Sequence, residues 1–388
     1  MILLSLTPIG MRLLAKLDLY CKNEGLQINY KKTKIMVFGN RYRHRTWTIG
    51  NHSIDQCRSF KYLGIHFQHT LAWKSHLTAV KLAATRSAGA ILKFYRTAGG
   101  HLVPPALKIF QSKVISQITY RAAIWGWLVP SFSALEAIQN NFLSRLLCVP
   151  PGTPAAFLRA ETGFLSISAR IHETLLLYWA ALPNSTSKVL VKTCFDSAVA
   201  DRYWSSKFRA VYAHYHIPIQ SISTLHRYNF RAQIERHSVW WDRLAISNSK
   251  FSRWYGLVKT NHLRANYLSC LLSVQLRYAF TALRFQTMPS AILHGRYHQI
   301  QYEQRFCICQ QGKVEDFIHY LFDCPIYNHP RSKFLDGLIN RQSYNLEDHL
   351  VPLLLADNNF QTTYSVAQYA LAAQKLRANF LKDIGLQE

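Results

Sequence analysis

At Trp73 the spacing of apolar residues changes, and that change divides the chain into two kinds of folding problem. Before it the apolar stretches are short: Ile2 to Ser5, Ile35 to Phe38, Thr46 to Ile49, Ser53 to Cys57 and Phe60 to Phe67. Runs of that length predict strands, with Thr46 to Ile49 and Ser53 to Cys57 pairing across Gly50-Asn51-His52. One helix is expected among them, capped by Thr7, begun at Pro8 and stopped by Gly25, with Leu13, Leu14, Leu17 and Cys21 on its apolar face. After Trp73 the period is helical. Leu77, Val80, Ala84, Ala88, Ile91 and Tyr95 gather on one side of a helix that Gly99-Gly100 ends. Pro104-Pro105 opens a second helix reaching about Gly126, and a third covers Ser133 to Cys148. Residues 155–200 and 268–285 read as further helix. The expected fold class is α+β, predominantly α, with small antiparallel strands confined to the N-terminal part.

The polar side of the helix after Trp73 points to a partner. Between Asp55 and Glu136 there is no acidic residue, yet Arg58, Lys61, Lys74, Lys81, Arg86, Lys93, Arg96, Lys108, Lys113 and Arg121 all fall there. The whole chain carries 46 Lys and Arg against 20 Asp and Glu, a net charge of +26. A solvated helix face usually mixes both signs, so a one-signed span favours a polyanion, RNA or DNA, over an anionic membrane surface. Lys74, Lys81, Lys93 and Arg96 are the candidate phosphate contacts. Trp240, Trp241 and Trp254 lie among arginines and have two readings, stacking on unpaired bases or half-buried core. No apolar run has the length that spans a bilayer. The segment Met1 to Pro8 lacks a basic leader and makes a poor signal peptide. An intracellular protein, nuclear or cytoplasmic and not secreted, is expected.

Five of the cysteines, Cys21, Cys57, Cys148, Cys194 and Cys270, stand singly and read as small core residues in a reducing compartment. The others cluster as Cys307-Ile-Cys309 with His319 and Cys324. A cysteine pair on a turn, a histidine on a helix and a cysteine just past its end can converge on one tetrahedral Zn²⁺, and four protein ligands would make the site structural. The one-residue spacer is tighter than the usual two, and His329 is an alternative ligand to Cys324. The metal-free alternative is two exposed thiols, a helix histidine and a buried cysteine. Phe317, Tyr320 and Leu321 are expected to pack inward from the same helix.

Nucleotidyl transfer and metal-dependent nuclease chemistry need paired carboxylates around metal ions. Before Trp73 the acids are Asp18, Glu24 and Asp55, and no two are adjacent. Glu315-Asp316 and Glu347-Asp348 are adjacent but read as helix-start charge. No phosphate loop, nucleophile elbow or His-Glu-x-x-His is present. No intact active site can be read.

Gly25, Leu26, Ile28, Asn29, Lys32, Thr33, Met36 and Phe38, followed by Tyr62-Leu63-Gly64, resemble the last palm motifs of a reverse transcriptase. With the helices and the Cys/His cluster that follow, the chain resembles the C-terminal half of the polyprotein of a non-LTR (LINE-like) retrotransposon, over essentially its full length. The resemblance implies an RNA-directed DNA polymerase with this layout: 1–72 the end of the palm, 73–150 a helical thumb, 151–300 a helical linker, 301–335 a zinc-knuckle-like segment and 336–388 C-terminal helices. It also implies that Lys32 or Lys34 lies near an incoming nucleotide, that Tyr62 to Gly64 position a primer end, and that the knuckle holds RNA or target DNA. The family's Tyr-Ala-Asp-Asp is absent from the sequence, so a catalytically inactive, truncated enzyme is expected, with Mg²⁺ needed only by an intact polymerase. The chain would then be a decayed fragment or a reading frame opened at an internal methionine. The alternative function is a domesticated RNA- or DNA-binding scaffold. An unprotected edge at Ile2 to Ser5 predicts poor solubility.

Overall fold

The computed structural model describes residues 2–4, 7–39, 43–182, 189–218, 229–249, 251, 253–270, 272–338 and 350–383. Glu347 and Asp348 lie outside them, as do Met1, Ser5 and the side chain of Cys194. The described chain is predominantly helical with a few short strands, an α+β fold.

The N-terminal part runs β1 (Ile2–Leu4), α1 (Thr7–Asn23), β2 (Ile35–Val37), β3 (Trp47–Ile49), β4 (His52–Ile54), β5 (Ser59–Tyr62) and β6 (Ile65–Gln68). Two of its strand pairs are antiparallel hairpins, β3–β4 and β5–β6. The third departs from expectation: β1 pairs with β2 in parallel, Ile2 opposite Ile35, because α1 supplies the crossover that a parallel pair requires. Gly25 ends α1 as expected, at φ 66°, while the Leu26 N–H donates to the Cys21 carbonyl at 2.8 Å. Trp47 and Ile49 point inward and Thr48 outward, the period of two that a half-buried strand imposes. With Leu14, Ile35 and Ile54 they make a small separate core. The Trp47 indole N–H donates to Gln56 Oε1 at 2.8 Å, so its one polar atom is satisfied inside that core.

Phe60 to Phe67 is a hairpin rather than one strand. Leu63 and Gly64 sit at φ 46° and 86°, the left-handed pair of a two-residue turn whose twist matches its strands. Glycine adopts that geometry freely; the exposed Leu63 adopts it at a cost.

Beyond the hairpin the chain is helical: α2 (Lys74–Thr97), α3 (Val103–Ile109), α4 (Ser116–Thr119), α5 (Ala122–Trp125), α6 (Ser133–Leu147), α7 (Ala155–Thr162), α8 (Ile167–Ala181), α9 (Val189–Ala200) and α10 (Arg202–His214). Then come α11 (Phe230–Ser247), α12 (Tyr255–Val258), α13 (Val274–Arg284), α14 (Ala291–Tyr297), α15 (Asn328–Phe334), α16 (Val351–Leu355) and α17 (Phe360–Asp383). The helix expected from Pro104 to Gly126 is interrupted. A π turn at Phe110–Ile115 joins α3 to α4, and Arg121, at φ 51°, breaks the chain before α5. The stretch from 268 to 285 likewise becomes helix only at α13, where Ser273 Oγ accepts the Leu276 N–H. One contiguous apolar core runs through this body, from Ile65 in β6 to Ala373 in α17.

Carboxylates inside that body are paired with arginine. Glu161 of α7 and Arg284 of α13 are both fully buried, 2.8 Å apart, and the Tyr255 hydroxyl donates to Glu161 Oε2 at 2.7 Å. Asp242 of α11 accepts from Arg159 and lies 3.0 Å from His262 Nε2. Burial opposes ionisation of Asp242, but the hydrogen bonds from His262 and Arg159 outweigh it and hold the carboxyl below its usual range. Arg277 caps the end of α2, donating to the Gly100 carbonyl and to the Tyr95 hydroxyl at 2.8 Å.

Two stability effects follow. Leu63→Asn should stabilise the fold by about 0.5–1 kcal/mol, since asparagine accepts positive φ and Leu63 buries little; an unchanged urea midpoint would count against the strained turn. Arg284→Leu should destabilise by about 3–5 kcal/mol by stranding Glu161, and adding Glu161→Leu should recover part of the loss in the same titration.

Candidate metal centre and basic face

The Cys/His cluster is assembled by two turns. In the first, Phe306 bridges Val314, the Cys307 N–H donates to the Lys313 carbonyl at 2.8 Å, and Gln310 and Gly312 turn the chain at φ 61° and 68°. This brings Cys307 and Cys309 onto one side despite the single residue between them. In the second, Asp316 Oδ1 accepts the His319 N–H at 2.8 Å and starts a helical turn. That turn is of the π type, His319–Asp323, closed by the Cys324 N–H donating to the His319 carbonyl at 2.8 Å. Residues five apart lie about 140° from each other around an α-helix; the wider turn returns Cys324 to the side of His319.

The four donor atoms lie within 4.8 Å of one another. Cys307 Sγ is 3.6 Å from Cys324 Sγ, and Cys309 Sγ is 3.4 Å from His319 Nε2. Tetrahedral Zn–S and Zn–N bonds put ligand atoms about 3.5–3.8 Å apart, so these spacings and this donor set are compatible with zinc. Three of the four side chains are buried, and Cys309 is half-buried. The hydrogen bond between the sulfurs draws Cys324 down and, with burial, raises Cys307. Backbone N–H groups of Cys309 and Ile326 also favour the thiolates of Cys307 and Cys324. The pair therefore loses one proton readily and holds the other, and a cation bound between the sulfurs would displace the second. His329 is exposed and outside the group, while Cys324 reaches it.

Residues that sequence reasoning missed hold this cluster in place. Arg331 is buried, with Nη2 donating to the Cys324 carbonyl at 2.9 Å and Nε to the Leu321 carbonyl at 2.8 Å. Glu315 is corrected from a helix-start charge to a fully buried carboxylate that accepts from Arg377 of α17 and, at 2.6 Å, from the Ala291 N–H. Its neighbour Asp316 does cap the helix. Phe317, Tyr320 and Leu321 are buried as expected. The signal for Glu315 was weak, because its partner lies 62 residues away.

The basic candidates are distributed differently. Lys74, Lys81, Lys93 and Arg96 are all exposed on α2, and no ion pair joins them to an acid among the described residues. From Lys74 to Arg96 the helix spans roughly 33 Å, about ten steps of a duplex at 3.4 Å each. Lys32 is exposed on the turn after Asn29, but Lys34 forms an ion pair with the exposed Asp55 on the neighbouring backbone segment. Tyr62 and Gly64 lie at the hairpin tip. Tyr120 lies against Gly64, where a Cβ would meet its Cε1 at 3.0 Å, and donates to the Leu63 carbonyl at 3.2 Å. The tip, α2 and the π turn enclose a groove of about 420 Å³ lined by Lys61, His66, Lys113 and Tyr120.

Asp18 is paired with Lys22 at 2.7 Å and Asp55 with Lys34. Cys148 is corrected from core to surface: it is exposed, at φ 57°, and ends α6. Trp254 is buried, but Trp240 and Trp241 are half exposed. No described helix is long and apolar enough to cross a membrane. No protein-family model matches the sequence, and no curated protein does.

Metal held at this centre should be retained through dialysis at about one equivalent per chain. Cys324→Ser should abolish that retention and lower the melting temperature, whereas Cys148→Ser should do neither; equal metal content in both variants would exclude the site.

Proposed function

We propose that the chain binds RNA or DNA through α2 and that Zn²⁺ at Cys307, Cys309, His319 and Cys324 secures the fold of its C-terminal part. The observation that carries this reading is the exposed row of Lys74, Lys81, Lys93 and Arg96 with no acid partner among the described residues. Cations left without counter-charges over such a length gain most from a polyanion that releases its own counterions. The resemblance to the palm and thumb of LINE-like reverse transcriptases supports the same reading and gives the helix its role, gripping a duplex backbone. Polymerase chemistry is not expected of this chain alone, since two-metal catalysis needs paired carboxylates. Zinc would act structurally here, because four protein donors leave no position open for substrate.

Duplex binding should weaken steeply with salt. Replacing Lys74, Lys81 and Lys93 together by Glu should lower affinity at least about tenfold and reduce the slope of log affinity against log salt by about three. Filter binding across a salt series measures both, and an unchanged slope would reject α2 as the contact surface. Primer extension on a homopolymer template with Mg²⁺ or Mn²⁺ should give no incorporation by the purified chain.

A further inference from the structure

The largest concavity among those described is lined by no residue of α2 or of the Cys/His centre. It has a volume of about 870 Å³ and is walled by the end of α11, the segment after it and α12. That is near the top of the range of about 300–1,000 Å³ that seats drug-sized ligands, room for a short run of nucleotides rather than one base. Among the described residues its charged lining is basic: Arg243 and Arg253 are exposed, while Lys259 is buried and donates to the Leu263 carbonyl at 2.6 Å. Trp240 stands at its rim, 54% exposed. Its neighbour Trp241 is fixed by donating its indole N–H to His237 Nε2 at 3.0 Å, and Trp240 rests edge-on against it at 4.9 Å between ring centroids. A large aromatic surface is thus held in place at a cationic groove. The Arg253 guanidinium lies 4.5 Å from the Trp254 ring centroid, so it is pre-positioned by cation–π contact. Arg253 also lines a second, smaller pocket of about 250 Å³, which reaches Asp316 and Phe317 beside the Cys/His centre.

We infer that this groove seats an unpaired nucleic-acid strand, with a base stacked on Trp240 and phosphates against Arg243 and Arg253. Charge and shape select that occupant. A duplex keeps its bases stacked on each other, whereas a single strand can offer a free base face to one tryptophan. An acidic protein segment would satisfy the arginines but gain nothing specific from a base-stacking ring. The inference rests on the nucleic-acid reading above and adds a second site to it, of different strand preference.

The test compares the full chain with Trp240→Ala, Trp240→Phe and Arg243→Ala, using a fluorescent oligothymidine of about 20 nucleotides and a duplex of the same length. Trp240→Ala should weaken single-strand binding about tenfold while changing duplex binding less than twofold. Trp240→Phe should restore most of the loss. Arg243→Ala should reduce the single-strand salt slope by about one. Unchanged melting temperature for Trp240→Ala separates lost stacking from misfolding, as expected of a half-exposed side chain. Equal effects on both probes, or none on the single strand while duplex binding persists, would overturn this inference alone. Failure of the parent chain to bind either probe would overturn both it and the proposed function.

Discussion

A chain with 20 carboxylates and 46 cations must place its few negative charges with care, and here four of them are inside. Glu161, Glu173, Asp242 and Glu315 are buried, and each faces arginine: Arg284, Arg231 and Arg170, Arg159, and Arg377. Burying an arginine without a partner is expensive, whereas a paired one can be tolerated. Each buried acid takes at least one arginine with it, so these pairs are close to neutral and the excess of cations falls to the rest of the chain. Exposed lysines on α2 are left with water and with whatever polyanion the protein meets.

The same pairs tie distant segments together. Glu161 with Arg284 joins α7 to α13, and Glu315 with Arg377 joins the Cys/His segment to α17. Through the Ala291 N–H, Glu315 also takes in the start of α14. The cluster is consequently not a loose appendage on a tether. Arg331 holds the carbonyls behind Cys324, and the aromatic side chains of Tyr320, Tyr327 and Tyr369 pack beneath it. A metal ion held by these four donors would reinforce the packing of the C-terminal body, because both would hold the same backbone in place.

Local features were readable with some accuracy. Gly25 ends α1, Gly99-Gly100 follow α2, and Asp316 caps the turn that carries His319. The Cys/His set converges because all four residues fall within 18 positions, close enough for two turns to bring them together. Errors arose where a residue's conformation or burial is set by something far along the chain. Phe60 to Phe67 has the composition of one strand, and the reversal at Leu63-Gly64 is held by Tyr120, 57 residues later. Trp240 and Trp254 carry equal hydrophobicity, yet one is at the surface and the other in the core.

From sequence alone come the helical period after Trp73, the small strands before it, the unbalanced positive charge and the composition of a four-donor set. Each is a property of neighbouring residues, so backbone geometry and side-chain chemistry suffice to read it. The tertiary structure decided which acid meets which arginine, how far Lys34 is neutralised by Asp55, where the hairpin tip comes to rest, and which tryptophan lines a groove. Those depend on contacts between residues tens to hundreds of positions apart, whose formation is governed by packing of the whole core rather than by any local preference.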